Sequence, residues 1–159
     1  MSESIDVSTL RRRAGDRPET HNQMPHQQVS QNAPAELQEE LFERIAGLPG
    51  VVVGGSHVSV PGARAFHLDP ASAGPDSDAF MVGTEFAHLH PAHDGSLHVV
   101  LPEAAARQAV DLGWGEFHPL VAQGLMPPTN VMVFGPRDAG ELDVVWKIVQ
   151  ASYHAARVG

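Results

Sequence analysis

The stretch Glu85-Phe86-Ala87-His88-Leu89-His90-Pro91-Ala92-His93-Asp94-Gly95-Ser96-Leu97-His98 decides how this chain is read. It places four of the ten histidines within eleven residues, around a turn. Histidine is the side chain whose unperturbed titration falls near neutral pH, so a cluster of this density points to a site. Asp94-Gly95 is a turn dipeptide between two strand-like runs. If one strand ends at His90 and the next begins at Ser96, residues 91–95 form a five-residue hairpin loop. His90 then lies opposite Ser96, and His88 opposite His98. Side chains alternate faces along a strand, so His88, His90 and His98 share one face and their rings converge.

Outward from this hairpin, the chain reads as helix, short strands, helix, strand, helix. A first helix is expected from about Pro34 to Pro49-Gly50, with Leu37, Leu41, Ile45 and Leu48 as its apolar stripe. Short strands follow at Val51–Val53, His57–Val60 and Arg64–Leu68. Asp69–Asp78 is a loop, Ala79–His90 a long strand, and Ser96–Leu101 its hairpin partner. Pro102 and Glu103 open a second helix, closed at Gly113. Residues 113–130 form a long connection, of a length that is often functional. Val131–Phe134 is a strand, and Asp138 with Glu141 caps the last helix. Hairpins dominate, so the expected class is α+β, a mostly antiparallel sheet with helices packed on one face.

Residues 1–33 are polar and hold as many acidic as basic residues, so the whole formal charge of −9 falls on residues 34–159. They read as a disordered or loosely attached tail in which His21 and His26 have no chemical role. The acidic balance argues against nucleic acid and an anionic membrane as partners; a small-molecule substrate is expected, with a protein-binding module and a homo-oligomer open. No cysteine is present, which excludes disulfides and thiolate chemistry. With no membrane-length apolar run and no signal-peptide core, a cytoplasmic protein is expected.

The face carrying His88, His90 and His98 admits three readings. The rings can ligate one metal ion and leave a position open for water or substrate. They can act without metal as acid and base. They can also hold loops together structurally. Glu85 is an odd number of residues from His88 and reaches the same face only through a bulge or from a neighbouring layer; otherwise it is a buried structural carboxylate. Asp94 shapes the turn first and orients a histidine second. Trp114, between two glycines, either walls a pocket or fills the core. His118, held extended before Pro119, is either an acid–base group or a loop anchor. Arg137 can bind an anionic or enolate oxygen, or pair with Glu141 or Glu85.

Further motifs run through the same residues: E-F-A-H-L-H at Glu85–His90, H-D-G-S-L-H at His93–His98, G-W-G-E-F-H-P-L at Gly113–Leu120, Pro136-Arg137, and Glu141 through Val145 with Ala151-Ser152. With them the chain resembles the luciferase-like domain of fungal luciferases and small bacterial proteins. The resemblance implies a single luciferase-like domain over 34–159. It also implies O2-dependent oxidation of an enolic ring such as a 3-hydroxy-α-pyrone, by a luciferase-like monooxygenase. No organic cofactor is implied, and one metal ion stays open. On that pattern Glu85, His88, His90, His98, His118 and Arg137 are catalytic, and Trp114 and Asp94 bind substrate. Fungal luciferases resemble membrane-anchored proteins with an apolar N-terminal segment, whereas this chain begins with a polar one.

Overall fold

Alternation along the strands sorts one sheet into an apolar and a polar face. The computed structural model describes residues 5–158. A small ribbon of β1 (Thr20–His21) and β2 (Gln27–Gln28) precedes helix α1 (Ala35–Ala46). Then come β3 (Val51–Gly55), β4 (Arg64–Leu68), β5 (Glu85–Leu89), β6 (Leu97–Val100), α2 (Glu103–Asp111), β7 (Gly115–Phe117), α3 (Pro119–Ala122), β8 (Asn130–Val133) and α4 (Ala139–Ala156). The sheet order is β3-β4-β5-β6-β8-β7, with every pair antiparallel. This is the expected α+β class.

On the apolar face, Phe66, Leu68, Leu89, Leu97, Val99, Val131 and Val133 are fully buried. They form one core with Leu41 and Ile45 of α1, Ala106 and Ala109 of α2, and Leu142, Val145, Ile148 and Val149 of α4. Each large apolar side chain buried there contributes about 1.5–3 kcal/mol. On the other face, one row of cross-strand neighbours reads Ala65, His88, His98, Met132, Glu116. Helices α1, α2 and α4 thus build the core from one side and leave a histidine-bearing face on the other.

Several expectations change in detail. No strand forms at 57–60, because the Glu85 carboxylate accepts from His57 N and Ser56 Oγ, and Ser56 Oγ accepts from Val58 N and Ser59 N. These bonds draw the segment into a turn. The strand expected from Ala79 begins only at Glu85, after a single 3-10 turn at Ser77–Ala79 capped by Asp76. The connection at 113–130 contains the edge strand β7. A Cβ on Gly115 would stand 2.5 Å from the Met132 carbonyl oxygen, so glycine is what lets β7 close on β8.

The tail expected at 1–33 is anchored at several buried residues, while much of it stays exposed; residues 1–4 lie outside the described residues. Val7 joins the core, Arg13 and Gln28 are buried, and the β1–β2 ribbon brings His26 onto the polar face. The physical reason is satisfaction of polar groups at long range. Gln28 Oε1 accepts from Gly135 N, Gln28 N donates to Asp94 Oδ2, and Asn32 Nδ2 donates to Asp94 O. A polar segment can therefore be held without many apolar contacts.

Candidate active site

The hairpin delivers three imidazoles to one point. His88 and His98 are directly opposed across β5 and β6, and His90 N donates to Ser96 O, which fixes the expected register. All three side chains are buried. His88 Nε2 lies 3.1 Å from His98 Nδ1, and His90 Nε2 lies 3.0 Å from that same atom. One nitrogen of each ring falls within 4.8 Å of the other two.

The outer partners fix the protons. A carboxylate only accepts, so at 2.9 Å from Glu85 Oε2 the His88 Nδ1 carries the hydrogen and Nε2 is left as a lone pair. Ser96 Oγ donates to Asp94 Oδ1 and therefore accepts from His90 Nδ1 at 2.8 Å, with Asp94 Oδ2 at 3.3 Å behind it. His90 Nε2 is then also a lone pair. Glu85 reaches this face through a bulge: Phe66 pairs with Ala87 while His67 pairs with Glu85, so β5 holds one extra residue. Phe86 and Ala87 both turn to the core as a result.

Burial sets the charges. It pushes His88 below the ordinary imidazole value, with the neighbouring His90 adding to the effect and Glu85 opposing it. His98 falls well below for the same reason, reinforced by His90, His88, His26 and His118 around it. Burial raises Glu85 and Asp94, but the hydrogen bonds each accepts, led by His88 and His90 respectively, outweigh it, so both carboxyls sit below the usual range.

A cavity of about 830 Å³ ends on His88, His90 and His98, with His26 and His118 beside them. Its outer walls are largely apolar, including Val58, Phe80, Met81, Leu120 and Met126. That volume suits a small organic ligand. His118 caps α3 by accepting from Leu120 N at Nδ1, 3.1 Å away, so its Nε2 carries the proton. Burial, then His26 and His88, bring its value down to about 4. At pH 7 it is a neutral N–H donor.

Over this hairpin and the elements that follow it, the chain is similar to known proteins. Residues 83–152 match the family model of the Luciferase domain. The luciferases of Armillaria gallica and Armillaria mellea are each 41% identical to this chain over 70 residues. The luciferase of Neonothopanus nambi is 40% identical over a stretch of the same length. Each match covers 43% of this chain and 26% of the relative, so the chain spans about a quarter of the relatives' length. No solved structure matches the chain. The luciferase match contains all eight residues singled out from the sequence.

The structure gathers Glu85, His88, His90, His98 and His118, with Asp94 behind His90. Asp94 is buried against Ser96 and the ribbon and does not line the cavity. Trp114, expected to bind substrate, is a core residue: it is 1% exposed, and its Nε1 donates to Arg11 O at 2.7 Å. Arg137, expected at the reacting centre, gives Nε and Nη2 to Glu141, Nη1 to Gln31 and Nη2 to Ala14 O. Its i,i+4 pairing with Glu141 consumes the guanidinium, and it does not line the cavity. His93 is exposed in the loop.

His26 reverses the sequence reading. It is buried, lines the cavity, and places Nδ1 2.9 Å from His98 Nε2. Glu116 was also missed. It lies two residues before His118, and recognising β7 as a strand would have put both on one face. No helix of the described residues is long and apolar enough to cross a membrane.

Proposed function

We propose that the protein is an oxygenase-like enzyme for enolic or hydroxylated ring compounds, built around one divalent transition-metal ion held by His88, His90 and His98. The observation that carries this reading is the convergence of imidazole nitrogens at the end of the cavity. Two of them are lone pairs aimed at His98 Nδ1, which has one in-plane site and cannot pair linearly with both. A metal ion bound at about 2.0–2.1 Å from each nitrogen would hold them roughly 3 Å apart, and His98 Nδ1 lies 3.1 and 3.0 Å from the His88 and His90 nitrogens. Carboxylates behind His88 and His90 are the usual support for metal-bound imidazoles. Three imidazole ligands suit iron, nickel, manganese or zinc.

When bound, such an ion supplies a Lewis acid that raises the acidity of an enol hydroxyl. The chain's own groups do the rest. The apolar walls hold the ring and limit water. His118 Nε2–H donates to a developing oxyanion, the role that Arg137 cannot fill. Glu85 and Asp94 keep His88 and His90 in the tautomers that face the cavity. The luciferase name of the relatives supports O2 as the oxidant, and a hydroxy-pyrone-like ring fits the cavity in size.

The test is elemental analysis of the purified, untagged protein after mild dialysis, followed by O2 uptake with hydroxy-pyrones. The expected result is about one equivalent of iron, nickel or manganese, with O2 consumption. His90→Ala should lose both and stay folded. No metal retained after each ion is offered would sink the metal reading. Zinc with ester hydrolysis and no O2 uptake would mark a three-histidine hydrolase. Ligand binding without turnover would mark a binding module.

A further inference from the structure

The third histidine of the cluster has no carboxylate on its own hairpin. His98 Nε2 instead faces His26 Nδ1 at 2.9 Å. Beyond His26 stands Glu116, whose Oε1 is 3.6 Å from His26 Nε2. Both of these atoms are buried, and neither makes a hydrogen bond. The second oxygen of Glu116 is held from outside, by Arg17 Nη2 at 3.0 Å and by Asn22 Nδ2. The ribbon that carries His26 is itself tied to the hairpin through Gln28 N and Asp94 Oδ2.

With His26 neutral, this order of groups favours one set of protons. A carboxylate oxygen 3.6 Å from His26 Nε2 favours a proton there by charge, at ion-pair rather than hydrogen-bond range. A neutral His26 then offers Nδ1 as an acceptor. His98 must donate to it from Nε2, which leaves His98 Nδ1 bare. The reverse direction would set a lone pair of His26 against a buried carboxylate, a repulsion that a low-dielectric interior amplifies. With His88 and His90 fixed by Glu85 and Asp94, all three converging nitrogens are then lone pairs with no proton among them.

We infer that His26 and Glu116 are positioning residues for the His88/His90/His98 centre, acting as a relay that holds His98 with Nδ1 unprotonated. The inference rests on the metal reading above for its purpose, though not for its geometry. Each of the three rings is thereby backed by a carboxylate: His88 directly, His90 with Ser96 between, and His98 through His26. The relay joins two separate parts of the chain: Glu116 lies inside the segment matched to the Luciferase domain, and His26 lies outside it. Residues 20–28 are therefore part of the site, not a cover over it.

The experiment reads ring tautomers in the full-length, metal-stripped protein by long-range 1H–15N NMR, and then Zn2+ affinity by competition with a chelator. Wild type should show His98 protonated at Nε2. Glu116→Gln is nearly isosteric, but its amide can donate to His26 Nε2 and so permits the reversed relay. It should shift His98 toward the Nδ1–H form and weaken Zn2+ by about 10–100-fold, with the melting temperature nearly unchanged. His26→Ala should weaken Zn2+ similarly, and His26→Asn, which keeps an acceptor for His98, should recover most of the loss. His98 protonated at Nδ1 in wild type overturns the relay, as does unchanged tautomer and affinity in Glu116→Gln. If Glu116→Gln fails to fold, the His26→Ala and His26→Asn pair carries the same test. Wild type with the expected tautomer but no Zn2+ binding would leave the relay standing and remove the metal reading.

Discussion

Replacing Glu85 by Gln probes the hairpin's bulge and the site together. Glu85 is fully buried and accepts three hydrogen bonds: from His88 Nδ1 at 2.9 Å and Ser56 Oγ at 2.8 Å on Oε2, and from His57 N at 3.1 Å on Oε1. A glutamine has one acceptor and one donor in the same space. With its oxygen at the Oε2 position it keeps His88 and Ser56 but sets an NH2 against the His57 N–H. That loses one bond and orphans a backbone donor, about 1–3 kcal/mol. The opposite orientation loses two bonds and exposes His88 Nδ1–H to a donor, which is worse. The first orientation is therefore expected, with a total cost of about 2 kcal/mol including the lost charge. In urea, with a slope of about 1–3 kcal/mol per molar, the midpoint should fall by about 1 M. The His88 tautomer survives, so Zn2+ affinity should drop only at the lower end of the 10–100-fold range for outer partners. An unchanged urea midpoint, or complete loss of Zn2+ binding with an unchanged midpoint, would refute the hydrogen-bond assignment of Glu85.

Two other outcomes follow from the same contacts. His88, His98 and His118 sit below the ordinary imidazole value in the folded protein, so the unfolded chain takes up their protons first. Stability of the metal-free protein should hold above about pH 6.5 and fall from there toward pH 4. His118 alone should account for about 3 kcal/mol, from its displacement to about 4. Urea midpoints across that range check this, and a flat profile between pH 6.5 and 5 contradicts it. Trp114→Phe should cost about 1 kcal/mol through the lost bond to Arg11 O. It should leave ligand affinity unchanged, because Trp114 is core; a tenfold change in affinity would return it to the cavity wall.

How much was legible depended on sequence distance. Asp94-Gly95 and the residues around it act over a few positions, and period two then forces His88 opposite His98 whatever the rest of the chain does. The pairing of Arg137 with Glu141 was legible as one option because it is an i,i+4 contact. Strand β7 was lost inside a long connection because three residues around Gly115 carry too short a pattern to register, and what makes them a strand is the approach of Met132. The bulge at Glu85 could be named only as a condition, since it depends on how β4 meets β5.

His26 marks the boundary between the two kinds of information. The sequence by itself determined the α+β class, the hairpin register and the shared face of three histidines, because alternation and turn chemistry are local. Only the tertiary structure decided that a polar N-terminal segment packs down, that His26 meets His98 across 72 positions, and that Glu116 stands behind it. Composition averages over that segment and sees too little apolar surface to fold. The segment is held by individual hydrogen bonds to buried partners, and those partners exist only once the sheet has formed.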